Sequence, residues 1–170
     1  MLGFLFRGLT AERRRGAPLF DALTAIAREP HWYVEGQVPD TFDGRFAVLA
    51  TVTALAMVRL EREGPAGDAP SVALTERFIE VMESEHRELG LGDPTLGKTV
   101  RKLVGILARR TELWRSAIER GQRWTETTRE SLYRDDATPD ALRHSAEALK
   151  RLSSRLGEAS LTELEQGKIG

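Results

Sequence analysis

The 170-residue sequence contains no cysteine, which excludes disulfides and cysteine metal sites and fits a reducing compartment; a cytoplasmic location is expected. Neither charge is in excess. With 25 basic residues against 26 acidic ones, no global preference for nucleic acid or for an acidic partner follows, and DNA is not expected as a partner. Only three histidines are present, at scattered positions, and no Ser/His/Asp arrangement can be argued from them. Long apolar runs are missing too: the longest uncharged stretch, Phe46 to Val58, has thirteen residues, short of the roughly 20 that span a bilayer. No strand-like alternation and no internal repeat can be found.

What the sequence does have is helical periodicity. Leu19, Phe20, Leu23, Ile26 and Ala27 recur at helical spacing until Pro30 disfavours helical geometry at Glu29. After His31-Trp32-Tyr33, a second segment starts at Asp40 or Thr41, either able to cap a helix, and runs to about Glu63, where GPAGDAP is expected to break it. Its apolar residues cover two adjoining faces, which predicts a central helix packed on two sides. A third helix is expected from about Ser71 to Leu89, with Leu74, Phe78, Val81, Met82 and Leu89 inward and Gly90 ending it.

Asp93-Pro94 is a start signal for a fourth helix, in which Leu96, Val100, Leu103, Val104, Leu107, Trp114 and Ile118 form one stripe opposite Lys98, Lys102 and Arg109. The pattern weakens after Trp124. Thr138-Pro139 opens a last clear helix with Leu142, Ala146, Leu149, Leu152 and Leu156 inward, and a short turn of helix is expected at Ser160. The reading is an all-α, single-domain bundle of about five to seven helices around one buried central helix. Residues 17–157 form the domain, with an N-terminal tail over 1–16 and a C-terminal tail over 158–170. The N-terminal tail sets an apolar block, Leu2 to Phe6, before Arg7, Arg13, Arg14 and Arg15, a composition suited to peripheral contact with an anionic membrane at its inner face.

Two motifs suggest chemistry and fail on context. Gly92 to Thr99 reads GDPTLGKT and matches G-x-x-x-x-G-K-[ST], yet the preceding EVMESEHREL is acidic and helical in spacing, unlike the buried strand that delivers a phosphate loop. A corner between two helices explains the octamer better. Glu83 and His86 give one Glu-x-x-His, where a helical di-iron site needs two copies and further glutamates. No catalytic residue, metal site or cofactor is therefore expected. Glu85 lies close to the apolar stripe of its helix, the position of a boundary carboxylate paired with a neighbouring helix.

Two stretches are richer than a helical domain requires: EGQVPDTFDGRF, from Glu35 to Phe46, and RELGLGD, from Arg87 to Asp93. With Tyr33 before them and lysines after, this ordered pair resembles the ubiquinol-cytochrome c chaperone family, whose members carry a tyrosine, then G-V-P-D-T-x-D-G-R-F, then R-E-M-G-V-G-D and a lysine-rich helix. The likeness covers about Leu19 to Ile118 well. Gln37 departs from it, standing where the family has glycine; no histidine follows the Asp43-Arg45 motif by a turn or two; and Leu132-Tyr133-Arg134 is only loosely similar to the family's ending. What the resemblance implies is an all-helical, non-enzymatic assembly factor, the mitochondrial members helping newly made cytochrome b mature into the respiratory complex that oxidises ubiquinol. A divergent bacterial member is expected, with a protein client such as cytochrome b.

Candidate partner-binding residues are Tyr33, Asp40, Asp43, Arg45, Arg87, Asp93, Lys98 and Lys102. A plainer account competes: the two aspartates cap the central helix, Arg45 bridges them to another helix, and the lysines form a solvated face. An alternative function is a basic-faced module that binds ribosomal RNA or the ribosome. An enzyme ranks last.

Overall fold

The computed structural model describes residues 15–88, 96–134 and 137–170. Helix α1 (Ala17–Ala27) buries Leu19, Phe20, Leu23, Ile26 and Ala27, the predicted stripe. It stops before Pro30, which opens a 3-10 turn (Pro30–Trp32). The last carbonyls of a helix lack intrahelical partners, and two aromatic side chains of this link supply them. Trp32 Nε1 donates to the Ile26 oxygen at 2.8 Å and Tyr33 Oη to the Ala27 oxygen at 2.7 Å.

Helix α2 (Phe42–Glu61) is the central element, buried continuously from Val48 to Ala56 and packed against five other helices. Its N-cap is Thr41, whose hydroxyl accepts from the Gly44 amide at 3.2 Å, one of the two residues expected to start it. Helix α3 (Pro65–Glu88) corrects the third-helix expectation: GPAGDAP does not separate α2 from a helix starting at Ser71. The reversal is confined to Arg62–Gly64, with Gly64 at φ 60°, and Pro65 sits at the first helical position, where its missing N–H costs nothing. Pro70 removes a backbone donor from the second turn, and the helix continues because Leu74, Phe78 and Met82 are buried behind it.

Helix α4 (Leu96–Arg120) buries Leu103, Leu107 and Trp114, but Val104 is 39% exposed and leaves the predicted stripe. Thr111 takes an inward position instead, its hydroxyl satisfied by the Leu107 oxygen at 2.9 Å. Helix α5 (Trp124–Leu132) falls where the apolar pattern weakens, and α6 (Pro139–Glu158) carries the predicted Leu142, Ala146, Leu149, Leu152 and Leu156 inward. Helix α7 (Leu161–Glu165) begins with a capping box at Ser160 and buries Leu164. Arg59 ties the end of α6 to α2, donating to the Leu156 and Ala159 oxygens at 2.9 and 2.8 Å. No strand occurs among the described residues, and no helix among them is long and apolar enough to cross a membrane. The architecture is all-helical, as expected.

Candidate functional site

The aromatic link, the start of α2 and the end of α3 leave a groove of about 1060 Å³ between them. One wall is the end of α1 and the link, with Ala27, Arg28, Tyr33 and Val34; the opposite wall is the last two turns of α3, with Val81, Met82, Glu85 and Glu88. Phe42, Phe46 and Leu49 of α2 form an apolar floor, and Asp40 and Arg45 stand at one end. Its lining combines apolar side chains with side chains of both charge signs.

Its charged end is built by local sequence. Arg45 Nε donates to Asp40 Oδ1 at 2.6 Å, holding the Asp40 carboxyl below its ordinary value; the same bond, with the fields of Asp40 and Glu85, holds the guanidinium above its own. Both side chains are more than half exposed, so the pair contributes little to stability and leaves its charges available to a partner. Burial pushes the Tyr33 phenol up, and its proton is committed to the Ala27 carbonyl, so Tyr33 shapes the wall rather than acting as an acid. The turn from Val38 to Thr41 lies tightly on α2: a β-carbon at Gly44 would meet the Pro39 oxygen at 1.9 Å.

The structure thus gathers Tyr33, Asp40 and Arg45 on one groove. Asp43 points elsewhere, to an ion pair at 3.0 Å with Arg134, and Arg87 is exposed near the end of α3. Lys98 and Lys102 are exposed on α4 and do not line the groove. Asp93, the predicted inward Leu89, the predicted Gly90 terminus and the first half of the GDPTLGKT octamer lie outside the described residues; Leu96 to Thr99 belong to α4, and the chain before the octamer is helix α3 as far as Glu88 rather than a strand. No cluster of His, Cys, Asp or Glu suited to a metal ion occurs among the described residues. Sequence reasoning missed Val34, 67% exposed beside the floor, together with Arg28 and Glu88; Glu85, noted for its place near an apolar stripe, lines the groove.

Gln37 stands at φ 51°, the left-handed region that glycine enters without steric cost. This explains the glycine of the motif it departs from. An exposed bond from Thr138 Oγ1 to Gln37 Oε1 at 3.2 Å offsets part of that strain. Gln37→Gly is expected to raise stability by about 0.5–1 kcal/mol in urea unfolding, because relief of backbone strain outweighs the lost bond and the added chain entropy.

Within the link, His31 Nδ1 lies 3.0 Å from His144 Nε2 and His31 Nε2 lies 3.0 Å from Glu29 Oε2. Burial outweighs Glu29 and lowers the His31 pKa from 6.5. The unfolded state therefore binds the proton first as pH falls through 6.5, and stability declines from there toward the lower folded value. Unfolding measured between about pH 7.5 and about pH 5.5 should show this decline, and His31→Gln should flatten it.

A family profile described as ubiquinol-cytochrome C chaperone matches residues 34–169. The chain belongs to this family. A solved structure, the Cbp3 homolog from Brucella abortus, is similar to the chain at 27% sequence identity with a TM-score of 0.79, over 100% of this chain and 96% of that one. No curated protein matches the chain. Within the family assignment, the motif resemblance and the profile agree, and both span the start of α2 and the end of α3, where the groove is built.

Proposed function

We propose that the groove holds a segment of newly made cytochrome b and releases it into the ubiquinol-cytochrome c reductase complex, without catalysis. The observation that carries this reading is the convergence of Tyr33, Asp40 and Arg45 with the exposed Val34 on one apolar-floored groove, in a chain of the chaperone family. A membrane-protein client exposes apolar segments before assembly, and a groove with an apolar floor and charged ends accepts such a segment by its apolar face while the flanking charges set its direction. Assembly requires release, so moderate affinity suits the task. The work falls at the cytoplasmic face of the membrane into which the client inserts. Contacts outside the groove are assigned to Lys98 and Lys102.

The test is recovery of cytochrome b with the tagged chain from native cells opened in mild detergent. Val34→Glu is expected to cut recovery at least about tenfold, equal to about 1.4 kcal/mol, and Arg45→Ala and Lys98→Glu by about threefold each. All three positions are exposed, so circular dichroism and Tm should stay near those of the parent. Undiminished recovery with Val34→Glu contradicts the reading. Recovery of ribosomes alone, lost at high salt, favours the basic-module alternative instead.

A further inference from the structure

Away from the groove, α4 and α5 border a second, open cavity of about 560 Å³. Two basic residues, Arg109 and Arg110, line it together with Leu113, Glu130 and Ser131. Arg110 is the informative residue. Its Nη2 donates to the Ser131 carbonyl oxygen at 3.2 Å, while its Nε is buried with no hydrogen-bond partner. Neither Arg109 nor Arg110 belongs to any ion pair among the described residues.

That arrangement is costly as it stands. A cation drawn out of water is penalised unless an opposite charge compensates it, and a guanidinium cannot escape by losing its proton. Burial, and after it the field of Arg109, lower the Arg110 guanidinium from its ordinary value, the direction that uncompensated positive charge produces. Glu130 does not neutralise the pair: its nearest cation is Arg123, at 4.0 Å. Ser131 Oγ accepts from Trp114 Nε1 at 3.1 Å, so its own proton is left to donate. Two arginines therefore line one cavity with no carboxylate paired to either among the described residues.

We propose that this cavity binds a phosphate group, carried either by a soluble phosphate compound or by a phospholipid headgroup. Guanidinium forks match the oxygens of a phosphate, and Arg109 and Arg110 bring two of them to the same cavity. Glu130 at the same wall opposes high negative charge and favours a singly charged group. The site shares no residue with the groove and stands independently of the client reading.

Calorimetric titration of the full chain with inorganic phosphate, at constant ionic strength held by sodium chloride, is the test. Saturable binding is expected, weakened about tenfold or more by Arg109→Gln and by Arg110→Gln and strengthened severalfold by Glu130→Gln. Arg109 is exposed, so its variant keeps the test valid should Arg110→Gln fail to fold. Absence of saturable binding, or binding unchanged by Arg109→Gln, overturns the proposal. A second arm fixes the source once phosphate binding is established, by co-sedimentation with phosphatidylcholine vesicles containing or lacking phosphatidylglycerol. Retention on the anionic vesicles that Arg109→Gln abolishes assigns the lipid headgroup; no retention, or retention indifferent to that change, assigns a soluble compound.

Discussion

Replacing Gly44 by alanine is expected to lower stability by about 3 kcal/mol and Tm by roughly 10 °C. The cause is contact, since the residue is helical in backbone. A β-carbon there would fall 1.9 Å from the Pro39 oxygen, 3.0 Å from the Pro39 carbonyl carbon and 3.3 Å from Val38 Cγ1. None of these can yield as a flexible side-chain tip does. The Pro39 oxygen is held in the turn by the Thr41 amide at 2.8 Å, and Val38 is buried at 1% exposure. Relief requires the whole turn from Val38 to Thr41 to lift from α2. That movement displaces the Thr41 cap and carries Asp40 away from Arg45, so client recovery should fall together with Tm. Differential scanning calorimetry checks the first effect, and a Tm within about 2 °C of the parent contradicts this account of the turn.

Trp114→Ala should cost about 4 kcal/mol, at the upper end of what a single core truncation does. Trp114 is fully buried and meets Trp124 edge to face at 5.0 Å and 67°. Its Nε1 donates to Ser131 Oγ, and Trp124 Nε1 donates onward to the Ala146 oxygen at 2.9 Å, so the two indoles join α4, α5 and α6. Truncation leaves a cavity where three helices meet and removes the donor to Ser131. Trp114→Phe retains most of the ring and loses the bond, and about 1–2 kcal/mol is expected for it. Urea unfolding of the two variants separates packing from hydrogen bonding, because equal losses would mean that the bond, not the ring, holds the junction.

How legible all this was depends on what each helix buries. Helices α1, α2 and α6 present leucine, isoleucine, valine and alanine at helical spacing, and their extents follow from the sequence to within a few residues. Helix α5 does not, because its buried face is Thr127, Thr128, Ser131 and Leu132. A threonine can face the core when its hydroxyl turns back on its own helix, as Thr128 does to the Trp124 oxygen at 2.8 Å. Hydrophobic periodicity cannot register such a face. The same device places Thr111 in the core of α4 while Val104 is left outside. GPAGDAP misled for a different reason: prolines break helices in their interior, and Pro65 stands at a helix start.

The groove was legible only in part. Tyr33, Asp40 and Arg45 were marked by the family motif, and the structure sets them side by side. Val34 and Met82 belong to no motif, and they meet only because the end of α3 crosses the link after α1. Lys98 and Lys102 share a motif with the groove in sequence but not its walls in space.

The central claim is that the groove is where the client lies. Its most direct test is photo-crosslinking in living cells, with a photoreactive amino acid placed singly at position 34 in the groove wall and, as a control, at the similarly exposed position 72 of α3. The account predicts a light-dependent adduct with cytochrome b from position 34 and none from position 72. An adduct from position 72 with none from position 34 would contradict it and move the client to another face of the bundle.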